Sequence, residues 1–247
     1  MSEQGLPVEV QPLSQVERVV DTFVAPTKTF TDILRSTSWW LPFLMLLIVT
    51  VASTLTVDKK IGFDRVAETS IQQSASSEER MSQLSPDQRA RQMHIIGVSM
   101  KVVSYGFSIL ALVISLVIAL LNWASLNFGL GAKTTFGQNF AVVMYAGLPR
   151  LFVGLLNIIF VFTGVNTENY NLNNPVGTNL GYYLTDSPKW LQTAATSLDV
   201  FAIWTLVLSI LGLSIISGKT KGQAAIVAVG WFVFFLIIGV GFAAMQS

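Results

Sequence analysis

The chain has 247 residues, a formal net charge of +1, 52% hydrophobic residues and only 12% charged ones, with a mean hydropathy of +0.59. A soluble domain carries roughly 25% charged residues, so this composition excludes a soluble globular protein, and the balanced charge offers nothing to nucleic acid. There is no cysteine, and His94 is the only histidine, which excludes disulfides, thiolate metal sites and a multi-histidine centre within one chain.

The first 38 residues read as an amphipathic arm. Ser14-Gln15-Val16-Glu17 fits a capping box, with a hydroxyl at the cap and a carboxylate three residues on. Val16, Val19, Val20, Phe23 and Val24 then recur at helical spacing and predict one apolar face. Pro26 ends that helix, and a second short piece carries Phe30, Ile33 and Leu34. Trp39 and Trp40 mark an interface, where an amphipathic ring prefers to sit. The arm is expected either to pad the bundle or to serve as a surface that binds a partner or senses the membrane.

Five uncharged or nearly uncharged stretches follow: 39–57, 102–128, 140–165, 200–217 and 224–245. A helix needs about 20 apolar residues to cross the hydrocarbon core. In lipid the backbone must bond to itself, so these are helices. The expected fold is therefore all-α, a polytopic bundle of five transmembrane helices over 39–245. The first stretch is read as retained, since the 38 residues before it exceed what a signal peptide allows.

Between the first two spans lies a polar loop, 58–101. Ser85, Pro86 and Gln88 form a second helix start, and no proline follows until Pro149. A helix from Pro86 to Phe128 would be about 65 Å long, so the second span is expected to project beyond the lipid as a polar stalk. His94 falls on that stalk and is expected to be a surface residue. The carboxylates Asp58, Asp64, Glu68, Glu78, Glu79 and Asp87 are expected on solvated helix faces. The loop 166–198 is crowded with Asn166, Asn169, Asn171, Asn173, Asn174 and Asn179, which is turn chemistry.

Arg150 is the one charge inside a span, at a cost of about 2.5–3.5 kcal/mol on insertion scales. Gly147 and Pro149 precede it and predict a broken helix there. Asp199, at the edge of the fourth span, is the expected counter-charge. Asn122, Asn127 and Asn157 are candidates for joining helices. Gly218-Lys219-Thr220 resembles the end of a phosphate-binding loop, but the required glycine is missing at Leu213 and a membrane helix precedes it, so it reads as a short basic turn. No residues form a catalytic, cofactor-binding or metal-binding set. Lys and Arg counts leave orientation open: an inside amino terminus puts Arg18, Lys28, Arg35, Lys133, Lys219 and Lys221 inside, against eight outside.

Several phrases in this order resemble the Yip1 domain family of five-span membrane proteins, particularly its bacterial members. They are Phe23-Val24-Ala25-Pro26 followed by Phe30, then Trp39-Trp40 and Pro42; Phe140 through Tyr145 to Pro149; Asp199 to Trp204; and Gly222-Gln223-Ala224. The resemblance runs from about Val19 to Ala244. It implies a cytosolic amino terminus and brings no catalytic residues, and its bacterial members point to a bacterial cytoplasmic membrane as the location. Eukaryotic relatives act in vesicle traffic with Rab-type GTPases, but their Asp-Leu-Tyr-Gly-Pro motif does not occur in this chain. The expected function is a membrane scaffold or interaction protein. Its partners are the lipid bilayer and a protein reached through the arm or the polar loops. The alternative is a transporter or channel component with a polar site near Arg150. Pro26, Phe30, Tyr145, Pro149, Arg150 and Asp199 are the candidate structural or interaction residues.

Overall fold

The computed structural model describes residues 12–165, 167–184 and 187–245, without the side chains of 75 and 76. Asn166 and the first eleven residues of the arm lie outside the described residues. Within them every regular element is helical.

The arm is a helical hairpin of α1 (Gln15–Val24) and α2 (Pro26–Ile33). The capping box at α1 forms as the sequence predicts: Ser14 accepts from Glu17 N at 3.2 Å, and Glu17 accepts from Ser14 N at 2.7 Å. Ala25 breaks the helix, and Pro26 opens α2, where its missing N–H deprives the helix of nothing.

Five helical stretches are long and apolar enough to cross a bilayer: Trp40–Lys60, Pro86–Gly129, Phe136–Thr163, Val200–Ser217 and Lys221–Ala244. The first is α3. Then α4 (Phe63–Gln72) and α5 (Ala75–Ser82) lead into α6 (Pro86–Ala124). That helix starts at the Ser85–Gln88 box and runs on through a π-helical turn over Ser125–Gly129. The segment expected to form a stalk is thus one unbroken rod with the second span.

The third span is α7 (Phe136–Ala146), a 3₁₀ turn over Leu148–Arg150, and α8 (Leu151–Thr163). After the short helix α9 (Lys189–Thr196) come α10 (Val200–Ser217) and α11 (Lys221–Ala244). The third and fifth spans begin earlier than hydropathy indicates because their first turns are polar. Thr135 with Gln138, and Thr220 with Gln223, close capping boxes there. Gly164 (φ 77°) and Gly218 (φ 65°) end α8 and α10 in the left-handed conformation, which only glycine adopts without strain.

A head forms where α4, the stalk and the asparagine-rich loop meet. Val57, Phe63, Val66, Val161 and Tyr170 make its apolar core. Thr69 donates to the Tyr170 carbonyl at 3.1 Å, and Gln73 to that of Asn169 at 3.2 Å. Burial pushes the Tyr170 phenol up to about 12, with the Asn157 amide offsetting only part of it. Three of the carboxylates expected to be solvated are paired: Asp58 with Lys101 at 2.9 Å, Asp64 with His94 at 3.5 Å and Glu78 with Arg89 at 3.9 Å. His94 is 71% exposed, as expected of a surface residue.

Candidate interaction site: the arm and the broken third span

The arm lies along α10. Phe30 and Ile33 are fully buried. A Cβ at Gly212 would come within 2.9 Å of the Phe30 ring and 2.7 Å of Val142. Phe23, nearer the bend, sets its ring edge against Trp204 and Phe152, at 5.6 and 5.7 Å between centroids. The bend at Ala25 is therefore directed towards the first turn of α10, and the open end of the hairpin towards Ser217. Glycine at 212 is what lets the aromatic ring reach the helix backbone. In lipid, where burial of apolar surface gives little drive, such close packing is a main source of helix association.

Arg18 holds the hairpin closed, and the sequence reading passed it over. Its side chain is fully buried. Its guanidinium pairs with the Asp32 carboxylate and donates to the Asp32 and Ser38 carbonyls at 3.3 and 3.5 Å. The Arg18 carbonyl accepts from the hydroxyls of Thr22 at 2.7 Å and Thr29 at 2.8 Å. Arg35 closes the far side of Asp32 at 2.8 and 3.1 Å. Burial pushes the Asp32 carboxyl up, but the two arginines outweigh it and hold it below its usual range. Tyr145, fully buried in α7, donates to Gln15 Oε1 at 3.0 Å and ties the start of α1 to the third span.

The single apolar face expected for α1 is divided. Val19 is buried beside Arg18 and Thr22, whereas Val16, Val20 and Val24 are 65%, 52% and 73% exposed. The helix is inside-out by the standards of a soluble protein. Arg18 points inward, where α2 supplies a carboxylate, and three of the helix's four valines point outward. Charged groups in membrane proteins take this arrangement because their partners are in the protein. A sequence signal for the pair existed: Arg18 and Asp32 stand on either side of a predicted proline turn, as two facing helices require.

The helix break predicted at Pro149 is the 3₁₀ turn, with Leu148 and Pro149 buried and the Arg150 N–H donating to the Gly147 carbonyl at 3.0 Å. Arg150 as a residue is exposed. The contact expected between Arg150 and Asp199 does not form: among the described residues the ion pairs within 4 Å leave Arg150 out. Asp199 acts on it only across a distance. The reason is that Asp199 is the cap of α10. It accepts from the N–H groups of Phe201 and Ala202 at 2.9 and 3.0 Å and from the Thr178 hydroxyl.

Of the three asparagines proposed to join helices, Asn157 does so, donating to Ser53 of α3 at 2.8 Å. Asn127 instead ties the turn after α6, through Thr134 at 2.8 and 2.9 Å. The Asn122 carbonyl oxygen is buried without a partner.

Two clefts, of about 740 and 490 Å³, lie on the polar head between α4 and α6. Asp64 and Arg65 line both, with Glu68, Arg89 and Glu168 in the larger, and Arg150 lines neither. Among the described residues no group of three or more His, Asp or Glu is placed to hold a metal.

The model of one family, described as the Yip1 domain, matches residues 20–243. Neither the curated proteins nor the solved structures gave a match.

Proposed function

The chain belongs to the Yip1 domain family, and from that premise we propose that this multi-pass membrane protein is a non-enzymatic scaffold that presents its arm to a protein partner in membrane organisation or trafficking. One observation carries the reading. The polar network of Arg18, Asp32, Thr22, Thr29 and Tyr145, closed on its outer side by Arg35, holds the arm in one place and lines neither of the two clefts. A buried ion pair of this kind fixes geometry more than it adds stability. The clefts sit on the head, away from the Arg150 break, which favours a scaffold over a solute pathway needing polar groups around a shared midplane cavity. The reading places the protein in a bacterial cytoplasmic membrane with the arm in the cytosol.

The test is crosslinked co-purification from native membranes. A reproducible protein partner is expected with the native arm and is lost when Asp32→Asn loosens it. Recovery of the same partner from both, or solute flux in reconstituted vesicles that vanishes in Arg150→Gln, sinks the proposal.

A further inference from the structure

We propose that the arm is a re-entrant hairpin, sunk into one leaflet of the bilayer, whose valine face is covered by lipid acyl chains. Three neighbouring spans give its depth. Phe30 packs at Gly212 beside Val142, and Phe23 sets its ring edge on Trp204 and Phe152. The step from Gly212 to Trp204 along α10 and the step from Val142 to Phe152 along the third span run the same way. Both lead away from the end where Thr37, just before α3, meets Gly137. At about 1.5 Å per residue, Trp204 is about 20 Å from Ser217, and Phe152 is about 24 Å into the third span. The first span agrees. Gly154 lies against Val49, and Asn157 donates to Ser53 at 2.8 Å, so this level is the interior of Trp40–Lys60. The hydrocarbon core is about 30 Å thick, so the bend at Ala25 lies within it. Even Gln15, the first residue of α1, is bonded to Tyr145 inside the third span.

The side chains of α1 fit that depth. A helix lying on a soluble surface hides its valines and exposes its arginine. Here Val16, Val20 and Val24, one turn apart, face outward, and Arg18 is fully buried. The Arg18 guanidinium also donates to the Ser38 carbonyl, next to Trp39. The ion pair therefore sits at the mouth of the hairpin, near the interfacial tryptophans, and the stripe from Val20 to Val24 goes deeper. The spans beside the arm turn the same chemistry outward, through Ile48 on α3 and Val207 on α10. The charges nearest the bend, Asp21 and Lys28, are of opposite sign, and the lysine stem is long enough to carry its ammonium towards the headgroups. Ser14, Glu17 and Arg35 are exposed at the mouth, and they are what the arm offers to the cytosol and to a protein partner. The choice of the cytosolic leaflet rests on the orientation proposed above; the embedding does not.

Two measurements test the embedding, and the absence of cysteine from the chain makes single labels possible. The protein is reconstituted in phosphatidylglycerol–phosphatidylcholine vesicles with nitroxides at Val16→Cys, Val20→Cys or Val24→Cys. In that order, collision with oxygen should rise and collision with a water-soluble nickel chelate should fall. Nickel collision at Val24→Cys should be about tenfold below that at Lys133→Cys, in the turn after α6. In the unsubstituted protein, a phospholipid with a diazirine in its acyl chain should crosslink to the peptide carrying Val20 and Val24. Nickel collision at Val24→Cys equal to that at Lys133→Cys overturns the proposal, because the hairpin then lies in water or lines a wet crevice. Low collision with both reagents at all three positions, without an acyl-chain adduct, also overturns it and assigns the stripe to a protein contact. Neither measurement needs a protein partner, so a failed co-purification leaves both readouts intact.

Discussion

The Arg18–Asp32 pair sets the character of the arm. Removing one member of a buried pair typically costs about 3–5 kcal/mol, while replacing both by apolar groups is often neutral. The chain has no cysteine, so Val19→Cys, at a position 9% exposed, can report opening of the hairpin. In that background Arg18→Met or Asp32→Asn should raise maleimide labelling by about 10²–10⁴-fold, which is the stated loss at about 1.4 kcal/mol per tenfold. The double variant Arg18→Met with Asp32→Leu should recover most of the protection. If the double variant opens as far as either single one, the pair is not what closes the arm. The pH dependence follows from the lowered Asp32 value. A carboxylate whose folded pKa is depressed contributes its stability above its unfolded pKa, about 3.9. That contribution fades as pH falls through the lower folded value. The arm should therefore hold from neutrality down to about pH 5 and loosen only in stronger acid.

The hairpin and α10 meet through a hole left by one missing side chain. Gly212→Val would drive methyl groups into Phe30 and Val142, both already closer than a Cβ allows. Overpacking of this kind typically costs about 1–3 kcal/mol. The expected result is displacement of the arm with α10 still helical, read as labelling at Val19→Cys with unchanged far-ultraviolet circular dichroism. Protection equal to that of the parent would remove Gly212 from the docking site. The helices themselves were legible from their ends. Ser14 and Ser85 each stand three residues before a Glu or Gln, and each caps a helix, whereas Thr220, read only as part of a basic turn, caps one by the same pattern. Pro149 disclosed the third-span break because a proline lacks the N–H its helix needs. What escaped was the direction of α1: its valine periodicity fixed a face but could not say which way that face turns.

The two ends of the molecule differ in charge. Lys133, Lys219 and Lys221 lie in the short turns after α6 and α10, with no carboxylate beside them between 130 and 135 or 218 and 221. At the head Lys101 is taken up by Asp58, and Arg89 faces Glu78. The Lys and Arg count alone does not orient the chain, and the cytosolic amino terminus proposed above puts these basic turns on the cytoplasmic side. The expectation is that Lys133→Cys reacts with a membrane-impermeant maleimide only from the cytoplasmic face and Glu79→Cys only from the opposite face. The reverse pattern would invert the topology.

The sequence by itself determined that the chain is helical, that it carries five helices able to cross a bilayer and where some of the helices begin. Those facts depend on apolar length and on hydrogen bonds made within a few residues. Only the tertiary structure decided where the charges go. Arg18 meets a carboxylate fourteen residues away in sequence, and Asp199 serves its own helix and leaves Arg150 to face outward. Each of these is a choice among partners that become neighbours only once the helices have packed.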